Sequence, residues 1–292
     1  QGVDIVAASF IRKADDVLDV RKILNANGGD NIQIISKIET QEGVDNIDDI
    51  IKVSDGIMVA RGDMGVEIPI QKVPIVQKMI IHKCNKVGIP VITATQMLDS
   101  MIRNPRPTRA EASDIANAIF DGTDAIMLSG ESANGDYPLE AALTMSNIAI
   151  EAEANIDFRA ALNKTNYESL ENISDAISLA TCSTADKLNV SAIITATQSG
   201  YTTRTVSKYR PRCPIIDVTP SKQVARGLSI NFKVQIIISI KLTSTDELMA
   251  DAVKKCLNTG YIKKGDVVII AAGIPVGDRK STRLNSSHPL DL

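Results

Sequence analysis

Short β-branched runs recur along this chain at the spacing of one strand plus one helix, and that rhythm restricts its fold more than any other feature. Such runs at residues 4–10, 32–38, 56–61, 90–95 and 124–129 alternate with helix-compatible segments and short polar loops, which predicts successive parallel βα units. Two of the runs end in charge: Ile34-Ile35-Ser36-Lys37-Ile38-Glu39-Thr40 and Met58-Val59-Ala60-Arg61-Gly62-Asp63-Met64-Gly65. Side chains alternate faces along a strand, so Lys37 and Glu39 point the same way, as do Arg61 and Asp63. An ammonium or carboxylate leaves water at a high cost unless a partner, metal or ligand compensates it. Four such groups at two strand ends predict a site; the competing reading is a structural ion pair such as Lys37 with Asp63.

Several function classes fall away on composition. With 44% hydrophobic and 23% charged residues in 292, the chain has ordinary globular make-up and enough length for one large domain or two. A net charge of -3, 3% aromatics and no tryptophan argue against nucleic acid as a partner. No apolar stretch approaches the roughly 20 residues of a membrane span, and no signal peptide is evident. Cys84, Cys182, Cys213 and Cys256 are far apart with no C-x-x-C pair, which favours reduced thiols, a cytoplasmic setting and no zinc site. His82 and His288 are the only histidines, so a Ser-His-Asp or Cys-His hydrolase has almost no candidate base.

The strand rhythm stops between residues 151 and 172, and a smaller α/β domain follows. Its strands are expected at 191–195, 214–219, 233–238 and 266–272, with Ser174 capping a helix through Leu188 and Ser244 opening another with Glu247 as its capping-box partner. In the first domain, Thr108 and Glu111 form a capping box after Asn104-Pro105-Arg106-Pro107. The expected division is a catalytic domain over 1–155, a connection over 156–172, an α/β domain over 173–277 and a tail over 278–292. That tail is polar and aperiodic, resembles a translated sequencing adapter, and is left out of the fold reasoning.

Five strings in order, I-x-I-I-S-K-I-E-T-x-E-G-V, A-R-G-D-M-G-V-E, A-T-Q-M-L-D-S-M, N-P-R-P-T-R-A-E and M-L-S-G-E-S-A-N-G-D-Y-P, resemble the pyruvate kinase family, a bacterial member in particular, from about residue 2 to 277. The resemblance implies the last five βα units of a TIM-type (β/α)8 barrel followed by a smaller α/β effector and assembly domain. The activity it implies is phosphoryl transfer from phosphoenolpyruvate to ADP, giving ATP and pyruvate at the last step of glycolysis. Glu39 and Asp63 would hold Mg2+ or Mn2+, an ion that prefers one or two carboxylates, and Lys37 would stabilise the moving phosphoryl group and the enolate. Arg61, Gly62, Asp63 and Thr95 carry over as substrate-binding residues, the N–H groups of Gly62 and Asp63 approaching the substrate carboxylate. Thr95, Ser129 and Glu131 carry over to proton delivery, the last two having loop capping as an equal alternative.

Residues Thr197, Gln198, Ser199, Gly200, Tyr201 and Thr202 resemble the family's effector loop, with free N–H groups suited to the phosphate of a sugar-phosphate or nucleotide effector. Nearby Arg204, Lys208, Arg210 and Arg212 read as a solvated face. A homotetramer is implied for the full-length protein. Three barrel strands, the lid domain and most ligands for K+ are expected to lie upstream of this chain, which predicts little or no kinase activity for it alone. Two alternatives remain: a metal-dependent aldolase or lyase acting on pyruvate enolates, and a non-catalytic module that binds a phosphorylated metabolite.

Overall fold

The computed structural model describes residues 2–163, 172–240, 245–272 and 283–286. The chain divides into two compact units, Gln1–Ile156 and Asp157–Leu292.

In the first unit the order is β1 (Ile5–Ala8), α1 (Ala14–Ala26), β2 (Gln33–Ile38), α2 (Gln41–Asp45), α3 (Ile47–Val53), β3 (Gly56–Ala60), α4 (Arg61–Glu67), α5 (Val73–Val87), β4 (Val91–Ala94), α6 (Arg109–Asp121), β5 (Ala125–Met127), α7 (Gly130–Ala133) and α8 (Pro138–Ala154). All five strands are parallel and lie side by side in sequence order. Each crossover therefore winds the same way, which puts the helices on one face of the sheet.

Packing agrees with that topology. Ile34, Ile38, Ile57, Val59 and Val91 share a core with Ile47 and Ile50 of α3 and Ile80, Ile81 and Cys84 of α5. Ile126 packs with Ile115 of α6 and with Ala141 and Met145 of α8. The alternate residues Ile35, Lys37, Met58, Ala60, Ile92 and Ala94 are in register with one another on the opposite face. Helix ends follow local chemistry: Thr108 accepts the Glu111 N–H while Glu111 accepts the Thr108 N–H, the expected capping box, and α6 stops at Gly122 in the left-handed conformation.

The second unit contains α9 (Phe158–Asn163), α10 (Ile173–Leu188), β6 (Ala192–Ala196), α11 (Tyr201–Lys208), β7 (Ile215–Thr219), α12 (Lys222–Leu228), β8 (Val234–Ile238), α13 (Thr245–Asn258), β9 (Val268–Ala272) and β10 (Arg283–Ser286). Its sheet order is β10-β9-β6-β7-β8. The chain runs outward from β6 to β8 and then crosses back to the other side of β6, so the switch point lies between β6 and β9. One face packs under α10, α11 and α12 through Ile193, Ile215 and Ile269; the other packs under α13 through Ile194, Ile216 and Ile270.

Three local expectations differ from the structure. Asn172, not Ser174, caps α10, because its side-chain oxygen accepts the Asp175 N–H at 3.0 Å and Ser174 is buried inside the first turn. Helix α9 occupies part of the segment assigned to the connection. Arg283–Ser286, within the segment left out of the fold, pairs antiparallel with β9, since an edge strand offers unpaired N–H and C=O groups to any extended segment. Ser244, the expected start of α13, and most of the tail lie outside the described residues.

Candidate active site

Lys37 and Glu39 sit where β2 runs out, on the face away from the helices. Glu39 is 1% exposed, and its Oε1 lies 2.7 Å from Lys37 Nζ. Its Oε2 accepts the Phe10 N–H at 2.6 Å, and Lys37 Nζ also donates to Ser9 Oγ at 2.9 Å. The charge on Oε1 is met by the ammonium, but no donor reaches that oxygen in hydrogen-bonding geometry. A buried carboxylate oxygen with an unused lone pair is a fitting ligand for a hard cation.

Asp63 lies in the first turn of α4 and is exposed, because Arg61 to Glu67 form a helix directly after β3. Asp63 makes no ion pair or hydrogen bond among the described residues. The structure therefore pairs Lys37 with Glu39, and the alternative pairing of Lys37 with Asp63 is not the one formed. Among the described residues no group of three or more His, Cys, Asp or Glu could hold a metal. A cation here would draw on one or two carboxylates and complete its shell from substrate or water, which suits magnesium.

Arg61 is anchored by partners within the protein. It is 8% exposed, ion-paired to Asp114 at 2.6 Å and donating to the Thr95 carbonyl at 2.7 Å. The physical reason is the immediate start of α4, which turns the side chain toward the C-terminal end of β4 and onto α6. Its role is to fix Thr95, whose carbonyl it holds. Thr95 has φ 70 and Gln96 φ 54, a left-handed pair that costs a β-branched residue of order 1–3 kcal/mol. The strained corner brings Thr95 Oγ1 to the Gly62 N–H at 2.7 Å, while the hydroxyl proton goes to the Ala94 carbonyl at 2.6 Å. The Gly62 N–H is thus already taken.

Glu131 is 2% exposed and accepts N–H bonds from Leu98 at 3.0 Å and Ser129 at 2.7 Å. Its two oxygens brace the loop after β4 to the one after β5. Ser9 and Phe10 were missed by sequence reasoning. Neither is charged, and the signal was indirect: β1 must end beside Lys37 for the register to hold.

In the second unit the loop after β6 meets its own polar groups. Thr197 Oγ1 accepts from the N–H groups of Gly200 at 3.0 Å and Ser199 at 3.3 Å, Ser199 Oγ accepts from Tyr201 N–H at 3.4 Å, and Arg204 donates to the Ser199 carbonyl at 3.1 Å. These N–H groups are therefore not free, and an incoming phosphate would have to displace hydroxyls of Thr197 and Ser199. Of the nearby cations Arg212 is exposed, whereas two others are engaged within the protein. Lys208 pairs with Asp175 at 2.9 Å and Arg210 stacks 4.7 Å from the Phe232 ring centroid.

On β7, Asp217 is fully buried, with Oδ1 accepting from Thr203 Oγ1 of α11 at 2.6 Å and Thr195 Oγ1 of β6 at 3.3 Å, and Oδ2 lacking any donor. Burial pushes its carboxyl up to about 7, against the opposing pull of Thr203, Thr195 and Arg204.

With this geometry in place, comparison with known proteins assigns the chain. Residues 1–142 match the family description "Pyruvate kinase, barrel domain" and residues 175–285 match "Pyruvate kinase, alpha/beta domain". The chain belongs to the pyruvate kinase family. It is similar to the pyruvate kinase of Clostridium acetobutylicum, 66% identical over 282 residues, covering 97% of this chain and 60% of that protein. The pyruvate kinase of Clostridium perfringens is 57% identical over 284 residues, with 97% and 60% covered, and that of Sporosarcina psychrophila 55% identical over 288 residues, with 99% and 49% covered. The chain thus spans about half to three-fifths of the length of these pyruvate kinases. Among its described residues no helix is long and apolar enough to cross a membrane, and the four cysteines carry free thiols.

Proposed function

We propose that this chain is the part of a pyruvate kinase that carries the phosphoryl-transfer site and a metabolite-binding domain, acting on phosphoenolpyruvate and ADP to give pyruvate and ATP. The observation that carries this reading is the Lys37–Glu39 pair, buried at a strand end with Glu39 Oε1 lacking a hydrogen bond. The five strands, in sequence order with every helix on one face, are read as five of the eight in a closed barrel, whose interior would be the face bearing Lys37.

Each residue then has work set by its contacts. Phosphoryl transfer needs positioning and neutralisation of charge on the moving group more than covalent participation. Glu39 Oε1 and Asp63 would hold the divalent ion, which when bound supplies Lewis-acid charge neutralisation at substrate oxygens. Lys37, held between Glu39 and Ser9, presents the rest of its ammonium to the phosphoryl group and then to the enolate oxygen. Thr95 holds a proton at Oγ1, parked on the Ala94 carbonyl, within a corner kept in shape by Arg61; release to the enolate carbon requires that hydroxyl to exchange partners. Glu131 and Ser129 serve by fixing the loops around it. A monovalent cation such as K+ belongs to this reading as a cofactor of the family, and the homotetramer is read as a property of the full-length protein.

The second unit is read as the effector domain. Its loop of residues 197–202 follows β6 at the switch point, where open α/β sheets take ligands, and a phosphate of a sugar phosphate or nucleotide would replace the internal hydroxyl contacts. An enolate aldolase would need no ADP, and a purely metabolite-binding module would need no buried Lys37–Glu39 pair. The test is pyruvate formation from phosphoenolpyruvate and ADP with Mg2+ and K+, with the Clostridium acetobutylicum relative alongside. Turnover at least about 1,000-fold below the relative is expected for this chain alone, together with phosphoenolpyruvate binding that requires Mn2+. Turnover matching the relative would contradict the barrel reading, and metal-independent binding would contradict the site.

A further inference from the structure

The corner that follows β1 is unusual in three ways that concern one pair of side chains. Phe10 has φ 55, a conformation that costs a bulky residue about 1 kcal/mol or more. The cost is not repaid by burying the ring, which is 60% exposed. What the conformation achieves is direction: the Phe10 N–H meets Glu39 Oε2 at 2.6 Å, and the preceding Ser9 hydroxyl meets Lys37 Nζ at 2.9 Å.

The rest of the corner is fastened from both sides. Asp16 Oδ2 accepts the N–H groups of Arg12 at 2.9 Å and Lys13 at 3.2 Å, and Asn46 donates to the Arg12 carbonyl at 2.9 Å. Ile11 is buried in the helix-side core. Its carbonyl lies 2.7 Å from where a Cβ on Gly43 would be, so the glycine of the I-E-T-x-E-G-V string is required for α2 to close on this loop.

We infer that Ser9 and Phe10 are positioning residues for Glu39: the Phe10 N–H pins Oε2, and Ser9 Oγ, at 2.9 Å, shares the Lys37 ammonium that lies 2.7 Å from Oε1, so that a lone pair of Oε1 stays open to a cation. This rests on reading Glu39 as a cation ligand. Without the Ser9 acceptor, Lys37 has Glu39 as its one remaining partner among the described residues, and it competes with the metal for Oε1. The inference runs from the observed left-handed Phe10 to the role.

The experiment is a double-mutant cycle on the full chain, with Mn2+ affinity followed by electron paramagnetic resonance. Ser9→Ala is expected to weaken Mn2+ binding about fivefold, Ser9→Thr to restore it, and Ser9→Ala to have no effect once Lys37→Met is present. An equal loss in both backgrounds, or none in either, overturns the inference. A second reading on the same proteins is the rate at which acetic anhydride modifies Lys37, resolved by mass spectrometry. Ser9→Ala should lower that rate about threefold with other lysines unchanged, because the ammonium is then held by Glu39 alone; an unchanged or raised Lys37 rate overturns the positioning role. Should the parent chain bind no Mn2+, the cation reading fails, and the acylation rates alone decide whether Ser9 holds Lys37.

Discussion

Glu39 and Asp217 are both buried carboxylates on parallel-strand segments, one in each unit, Glu39 just past the end of β2 and Asp217 in the middle of β7, and they are compensated in different ways. Glu39 has a cation at 2.7 Å and a backbone N–H at 2.6 Å. Asp217 has the hydroxyls of Thr203 and Thr195 on one oxygen and nothing on the other, with Arg204 acting only at a distance. Burial alone does not decide what a carboxylate on a parallel strand is for. A cation within contact keeps charge in the interior, whereas hydroxyl donors leave desolvation dominant and the group titrating near neutrality.

Three changes test that contrast, in decreasing order of expected effect. Lys37→Met strips Glu39 of its cation, and breaking a buried pair this way costs about 3–5 kcal/mol. Urea unfolding of the first unit should show the loss, and Lys37→Met combined with Glu39→Gln should recover much of it; an unchanged midpoint would show that the ammonium does not compensate Glu39.

Asp217→Asn acts in the opposite direction. The folded carboxyl titrates at about 7, above its ordinary 3.8, so its contribution to stability is fully present below the ordinary value and disappears as pH rises through about 7. The second unit should therefore be less stable at pH 8.5 than at pH 5, and Asp217→Asn should raise stability at pH 8.5 by about 2–4 kcal/mol while flattening the dependence. Equal stability of the parent at both pH values would contradict this account.

Glu111 supplies the intermediate case, a partly buried carboxylate with several donors. Burial works to raise its titration point, and bonds from Ser100 and Thr108 outweigh that, so the carboxyl is held below its ordinary value. Its contribution is present above the ordinary carboxylate range and is lost as pH falls through the lowered value. Thr108→Ala should cost about 1 kcal/mol at pH 7 and less in strong acid, as read from thermal unfolding at the two pH values; an equal cost at both would refute the coupling.

How far the sequence revealed these features depends on the range of the interaction responsible. Apolar runs marked all five strands of the first unit because period and composition are local, and the Thr108–Glu111 box was legible for the same reason. Lys37 and Glu39 were legible as a pair because alternation places them on one face. The Arg61 contacts were not, since its partners Thr95 and Asp114 lie far along the chain. Ser9 and Phe10 stayed hidden because nothing local marks a left-handed phenylalanine. Asp217 carried a readable signal, a lone acid inside Ile215-Ile216-Asp217-Val218-Thr219, of the same kind that drew attention to Lys37.

The account stands or falls on Glu39 and Asp63 serving one divalent ion beside Lys37. Mn2+ titration of the chain, followed by electron paramagnetic resonance, should show one ion bound per chain, with the affinity falling at least about tenfold in both Glu39→Gln and Asp63→Asn. Retention of full affinity in Asp63→Asn would contradict it, leaving Glu39 as a buried structural partner of Lys37.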